Sequence, residues 1–148
     1  MTTSDITNIA DPAERDTMMR KTVQLLQKDR DLGFVLLSVV AAFIDGLVRA
    51  PRGKTREMYL AYLKLHFPEA CTALGAEIFY SHIRNAAIHE FAPRPPIAVA
   101  HDEKLHGKYT HTLERGGQQW TVFNVDRFVS DFIRHLDSVS SSRDAAGS

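Results

Sequence analysis

Apolar and polar residues follow two periods along this chain, and the change of period organises it. From Asp11 the spacing is helical. Asp11-Pro12-Ala13-Glu14 reads as a helix start: Asp11 can cap free backbone N–H groups, Pro12 suits the first helical position, and Glu14 completes a capping-box pattern. That helix should run to about Lys28, with Met19, Val23 and Leu26 on one face. Asp31 then opens a second helix through Phe34, Leu37, Val40, Ala41 and Ile44 to Val48. It is apolar nearly all round, which predicts a place at the centre of a bundle. After the break Ala50-Pro51-Arg52-Gly53-Lys54, Thr55 caps a third helix carrying Met58, Tyr59, Tyr62 and Leu63, ending before Phe67-Pro68. A fourth runs from about Cys71 to Phe91, where Pro93, Pro95 and Pro96 forbid its continuation.

Beyond the prolines the period shortens to two. Lys108 to Glu114 alternates, Arg115-Gly116-Gly117-Gln118 reads as a turn, and Gln119 to Val125 alternates again around Trp120, Val122 and Asn124. This is a β-hairpin signal over about residues 108–125. Asn124 or Asp126 caps a last helix, on which Val125, Phe128, Val129, Phe132, Ile133 and Leu136 recur at helical spacing. The expected fold is mainly α, a helical bundle with a small hairpin inserted before its final helix. Residues 1–10 and the Ser-, Ala- and Gly-rich residues 138–148 are expected to be loose ends around a single domain at 11–137.

Composition narrows the picture. A chain of 148 residues, 44% hydrophobic, suffices for one compact core. Lys plus Arg (18) balance Asp plus Glu (18), so any polyanion must be held by a local cluster of cations rather than by a global field. Cys71 is the only cysteine, which excludes an internal disulfide and suggests a reducing, cytoplasmic setting. Met1 to Ala10 lacks the layout of a signal peptide, and the apolar run Phe34 to Ile44 falls short of the roughly 20 residues that span a bilayer. A soluble protein without membrane partners is expected.

The candidate chemistry lies on the fourth helix. Drawn as a regular cylinder, it places Leu74, Ile78, His82, Asn85 and His89 along one stripe with Ser81 and Ile88 beside it, and Phe79, Ile83, Ala86 and Ala87 opposite. Both faces are then expected to be buried, yet one carries a column of polar groups with Arg84 at its edge. Such groups are costly to bury unless paired or turned toward another chain. A satisfied polar network closing a core or a dimer seam accounts for them as well as catalysis does.

Arg84-Asn85-Ala86-Ala87-Ile88-His89 resembles the signature of HEPN domains: an Arg, four to six intervening residues and a His, often with a polar residue directly after the Arg. The setting is similar too. The motif lies near the C-terminal end of a bundle helix, a long apolar helix ending in Asp45 precedes it, and Phe79-Tyr80-Ser81-His82-Ile83-Arg84-Asn85 is like the local text of many bacterial HEPN proteins. The resemblance covers roughly residues 31–92 well and the last helix loosely. It implies an up-and-down HEPN-like bundle acting as a homodimer, whose two signature helices form one composite cleft. The implied activity is metal- and cofactor-independent cleavage of single-stranded RNA through its 2′-hydroxyl, in a toxin–antitoxin pair, defence or stress response. An antitoxin or regulatory protein would be a further partner.

The residue types suit that chemistry. An imidazole, which ordinarily titrates near neutral pH, can take the 2′-hydroxyl proton or protonate the leaving oxygen, the role implied for His89. A guanidinium can grip the phosphate, the role implied for Arg84. Asn85 would orient the imidazole or donate to the phosphate; His82 and Asp45 are accessory candidates. The expected products are a 2′,3′-cyclic phosphate and a 5′-hydroxyl, with DNA left uncut. Two competing readings use the same residues: a non-catalytic HEPN-like binding or scaffold module whose Arg/His column sets dimer register, and a plain helical adaptor with an internal polar network.

Elsewhere, Arg49, Arg52, Lys54 and Arg56 form the best local set for RNA phosphates, or a solvated loop. The spacing of His101, His106 and His111 matches no compact zinc motif, and no metal site is expected. His89-Glu90 lacks the second His of a zinc protease, and neither a Gly-rich phosphate loop nor a nucleophile elbow occurs. Cys71 reads as a core residue. Trp120, Tyr109 and Phe123 are either base-stacking residues or anchors of the hairpin.

Overall fold

The computed structural model describes residues 11–48 and 55–147; residues 1–10 and 49–54 lie outside that description. Helix α1 spans Pro12–Gln27, and the Asp11 carboxylate accepts from Ala13 N at 2.9 Å, the cap expected from the sequence. A short 3-10 turn, Arg30–Leu32, leads into α2, Gly33–Leu47. The cap here is Asp29, whose Oδ1 accepts from Asp31 N, so α2 begins two residues later than the Asp31 start expected. Gly33 is required at the joint: a Cβ there would meet His101 Nε2 at 2.9 Å. Helix α2 is the central element, with Leu36, Leu37, Val40 and Ile44 fully buried, and it packs against α1 and the last helix of the chain.

Helix α3, Arg56–His66, is capped by Thr55 and stops where Phe67-Pro68 begins α4, Pro68–Ala73. The single fourth helix expected over Cys71 to Phe91 is not continuous. Leu74 and Gly75 break it, and Gly75 takes φ +101°, a backbone region that L side chains rarely enter. The chain restarts as α5, Ala76–Ile78, widens into a π-helical segment, Phe79–Arg84, and closes as α6, Asn85–His89. Helical periodicity by itself shows neither the break, which Gly75 permits, nor the wide turn.

Strands β1, Ile97–Ala100, β2, Thr110–Arg115, and β3, Gln118–Asn124, form one sheet in the order β1-β3-β2. The hairpin β2–β3 is as expected, turning at Gly116 (φ 60°) and Gly117 (φ 76°), the paired positive φ of a tight hairpin turn. Strand β1 was not expected; four residues of small apolar side chains carry little period of their own. It pairs in parallel with β3, Ile97 opposite Thr121, and the insertion is therefore a three-stranded sheet. A short helix α7, Asp102–Leu105, bridges β1 to the hairpin.

Helix α8 spans Val125–Gly147. Its N-terminus is capped by Asn124, whose Oδ1 accepts from Arg127 N at 3.0 Å, while Asp126 is drawn away by Arg30, His101 and Asp102 N. Val125, Phe128, Val129, Phe132 and Leu136 form its buried stripe. The residues expected to be a loose tail continue this helix, and Ser140 and Arg143 both bond the buried Asp16 carboxylate of α1. A Ser-rich composition reads as disorder only if no partner waits for it. The fold is thus mainly α with a small sheet inserted, and no described helix is long and apolar enough to cross a membrane.

Candidate functional site

Arg84 closes the π-helical segment, where a turn one residue wider than the α-helix changes which side chains share a face. Phe79, Ile83 and Ala86 point into the core, and Arg84 and Asn85 emerge together at its margin. The opposite face is open: Ile78 is 39% and Ile88 58% exposed, and His89 is exposed as well. The expectation that a single chain buries this helix on both faces is not met. An ideal cylinder over residues 71–91 misplaced the stripe because the helix starts only at Ala76 and carries the wide turn.

Around Arg84 three elements meet. Its Nε donates to Asp45 Oδ2 of α2 at 2.9 Å, and its Nη1 donates to Asn85 Oδ1 at 2.7 Å. The guanidinium carbon lies 5.8 Å from the ring centroid of Tyr59, on α3, and 5.1 Å from that of Tyr80. Tyr59 is itself fixed, donating its hydroxyl to Ala41 O at 2.9 Å. Burial alone would lower the Arg84 pKa, but the hydrogen bond and the charge of Asp45 outweigh it and raise the pKa above its ordinary value. The Tyr59 phenol is held well above its usual range by burial first and by the Asp45 charge second. The centre is therefore a fixed cation with Nη2 free of described partners, beside a neutral phenol.

Asp45, an accessory candidate, is the carboxylate that pairs with Arg84. Asn85 differs from expectation: its oxygen accepts from Arg84 rather than touching His89, which leaves its amide N–H groups for a ligand. His89 has no side-chain partner among the described residues and stands at the exposed C-terminal end of α6. His82 is engaged elsewhere. Ser81 Oγ donates to Glu77 O at 2.9 Å, so its 2.7 Å contact with His82 Nδ1 makes that nitrogen the donor.

Of the four cations proposed for phosphate contacts, Arg49, Arg52 and Lys54 lie outside the described residues. Arg56 is brought to the site. It lies 3.5 Å from Glu77 and places its guanidinium 5.8 Å from the Tyr80 ring, so Tyr80 carries Arg56 and Arg84 together. Tyr59 and Tyr80 are the site residues that sequence reasoning passed over as helix packing; aromatic residues within a turn of charged ones were the available signal.

The remaining candidates divide cleanly. His101 is structural, its Nδ1 3.1 Å from Asp126 Oδ1 and its Nε2 2.9 Å from Arg30 O. Among the described residues no three His, Cys, Asp or Glu side chains gather as a metal site. Tyr109 and Phe123 are buried in the core and cannot stack on a base, whereas Trp120 remains partly exposed. A second histidine cluster was not anticipated. His66 of α3 and His135 of α8 have ring centroids 4.5 Å apart, and Tyr62 Oη lies 2.5 Å from His135 Nε2. Burial, with a smaller contribution from His66, pushes His135 down to about 4, and burial also lowers His66. His135 is therefore neutral at ordinary pH and packs between α3 and α8, while His66 lies at the exposed edge of the cluster.

No protein-family model matches the chain, and neither a curated protein nor a solved structure matches it significantly.

Proposed function

We propose that the chain is a metal-independent endoribonuclease of HEPN-like type, cutting single-stranded RNA at a site completed by a second copy of itself. The observation that carries this reading is the pairing of a fixed, charge-stabilised Arg84 with an exposed and unpartnered His89 on one short helical stretch. Arg84 offers Nη2 to a phosphate oxygen, and Asn85 adds an amide donor. His89 is the base that takes the proton of the 2′-hydroxyl or the acid that protonates the 5′-oxygen. Two copies supply two imidazoles, so both roles are filled in one cleft. Ile78, Ile88 and Phe91, exposed beside the polar groups, are the apolar surface that a partner helix would cover.

The bond from Arg84 to Asp45 favours a second reading, in which the same network is purely structural and the domain is a non-catalytic binding or scaffold module. One experiment separates the two. Purified protein is incubated in EDTA with a mixed RNA pool beside Arg84→Ala and His89→Ala. Cleavage giving cyclic-phosphate ends in the wild type, with each variant at least about 100-fold slower, supports the nuclease. Equal residual cleavage in all three points to contamination and rejects it. Sizing by light scattering tests the dimer, and relief of toxicity on expression by either substitution would place the activity in a toxin or defence role.

A further inference from the structure

The sheet has two unlike faces. Phe123 and Ile97 point from it into the core, and register then sends Trp120, Val122, Leu113 and Ala98 to the other side. There they line a cleft of about 650 Å³, closed by Lys104 from α7 and by Arg115 and Gln118 at the hairpin end. Trp120 is only partly buried, directly opposite the 38% exposed Leu113. Both charged residues of the cleft are cations, and neither has an ion-pair partner among the described residues. In a chain with no net charge this local imbalance is a specific feature.

We infer that this cleft binds a nucleobase of single-stranded RNA, stacked on the Trp120 indole, with Lys104 and Arg115 on the flanking phosphates. A flat π-surface beside two unpaired cations is what single-strand recognition needs: stacking accepts any base, and the cations follow the backbone. The cleft has room for one nucleotide. An apolar peptide would use the aromatic floor but leave both cations unmatched. The identification of the polymer as RNA rests on the ribonuclease reading; the cleft serves that activity as a separate holding site, away from Arg84 and His89.

Trp120 is the only tryptophan, so its emission reports on this cleft alone. The full chain is titrated with a 2′-O-methyl single-stranded oligonucleotide of about a dozen residues, which cannot be cut, and with the same backbone lacking bases. Saturable quenching by the first and little by the second is expected. Lys104→Glu with Arg115→Glu, both on the solvent side, should weaken binding about tenfold or more and flatten its salt dependence. Trp120→Leu, followed by anisotropy of a labelled strand, should weaken it by about 10- to 100-fold. Should Trp120→Leu fail to fold, the charge-reversal pair still decides. Unchanged Trp120 emission, equal quenching by the base-free backbone, or unaltered affinity in the charge-reversal pair overturns the inference, whatever protein the face binds. Arg84→Ala separates the two claims: quenching without cleavage in any form leaves the cleft and removes the nuclease, and cleavage without quenching does the reverse.

Discussion

Two regions of this molecule gather histidine and tyrosine side chains, and they hold them in opposite ways. At the 76–89 helix, Arg84 is kept charged by Asp45 while His89 stands in solvent without a described partner. Between α3 and α8, His66 and His135 pack against each other and against Tyr62, and burial lowers the basicity of both, taking His135 to about 4. The first arrangement keeps a cation fixed and an imidazole available, which suits phosphate chemistry. The second uses its rings as packing and makes the more buried one, His135, a weaker base. Residue type does not separate a site from a core; solvent access and the nearest charge do.

The largest expected effect divides the roles within the first region. His89→Ala should lower RNA cleavage by about 10²- to 10⁴-fold and leave stability within about 0.5 kcal/mol, since the side chain is exposed. Arg84→Ala should abolish cleavage as deeply and also destabilise the fold by about 1–3 kcal/mol, because the partly buried ion pair with Asp45 is broken. Urea unfolding beside the cleavage assay reads both. Arg84→Lys should recover most of the stability but not the rate, as an ammonium cannot hold Asp45 and Asn85 and still offer a third donor fork. If His89→Ala destabilised as much as Arg84→Ala, the contrast between an anchored and an open group would be wrong.

Gly75→Ala tests the break that orients this helix. Space is ample, the nearest atom to an added Cβ being Ile78 Cδ1 at 3.9 Å, so the expected loss of about 1–3 kcal/mol is backbone strain at φ +101°. Thermal unfolding would show it, and an unchanged midpoint would remove the argument.

The second region should reveal itself by acid. His135 is pushed down to about 4 in the folded chain, below the usual histidine value of about 6.5 that applies when unfolded. The unfolded state therefore binds the proton more readily, stability is full above about pH 6.5, and it falls as pH drops toward 4. After discounting for solvent screening of a partly buried ring, the loss is about 1–2 kcal/mol, and His66 adds in the same direction. His135→Leu should flatten that limb of the stability curve; an equally steep limb would assign it to other groups. Smallest of all, Tyr62→Phe should destabilise by about 1 kcal/mol through loss of the contact with His135 Nε2. It should leave cleavage unchanged, where a tyrosine serving catalysis would not.

What was legible in the chain came from signals that act locally. The caps at Asp11 and Thr55, the glycine pair at the hairpin turn and the stripe from Val125 to Leu136 each depend on a few neighbouring residues and formed where expected, and the apolar α2 formed with its start shifted by two residues. The pairing of Arg84 with Asn85 was likewise within reach, being a contact of sequence neighbours. Other features depend on groups distant in sequence. Strand β1 exists because β3 offers it a parallel edge. The last turns of α8 are held by Asp16 across 124 and 127 positions. His135 lost its basicity to a helix that precedes it by some seventy residues. The amino-acid order alone determined the helical repeat, its caps and the Arg84 to His89 motif, because propensity and spacing are properties of adjacent residues. Only the tertiary structure decided that Arg84 would be anchored, His89 open and Trp120 turned outward, because burial and counter-charge are supplied by whatever the fold brings near.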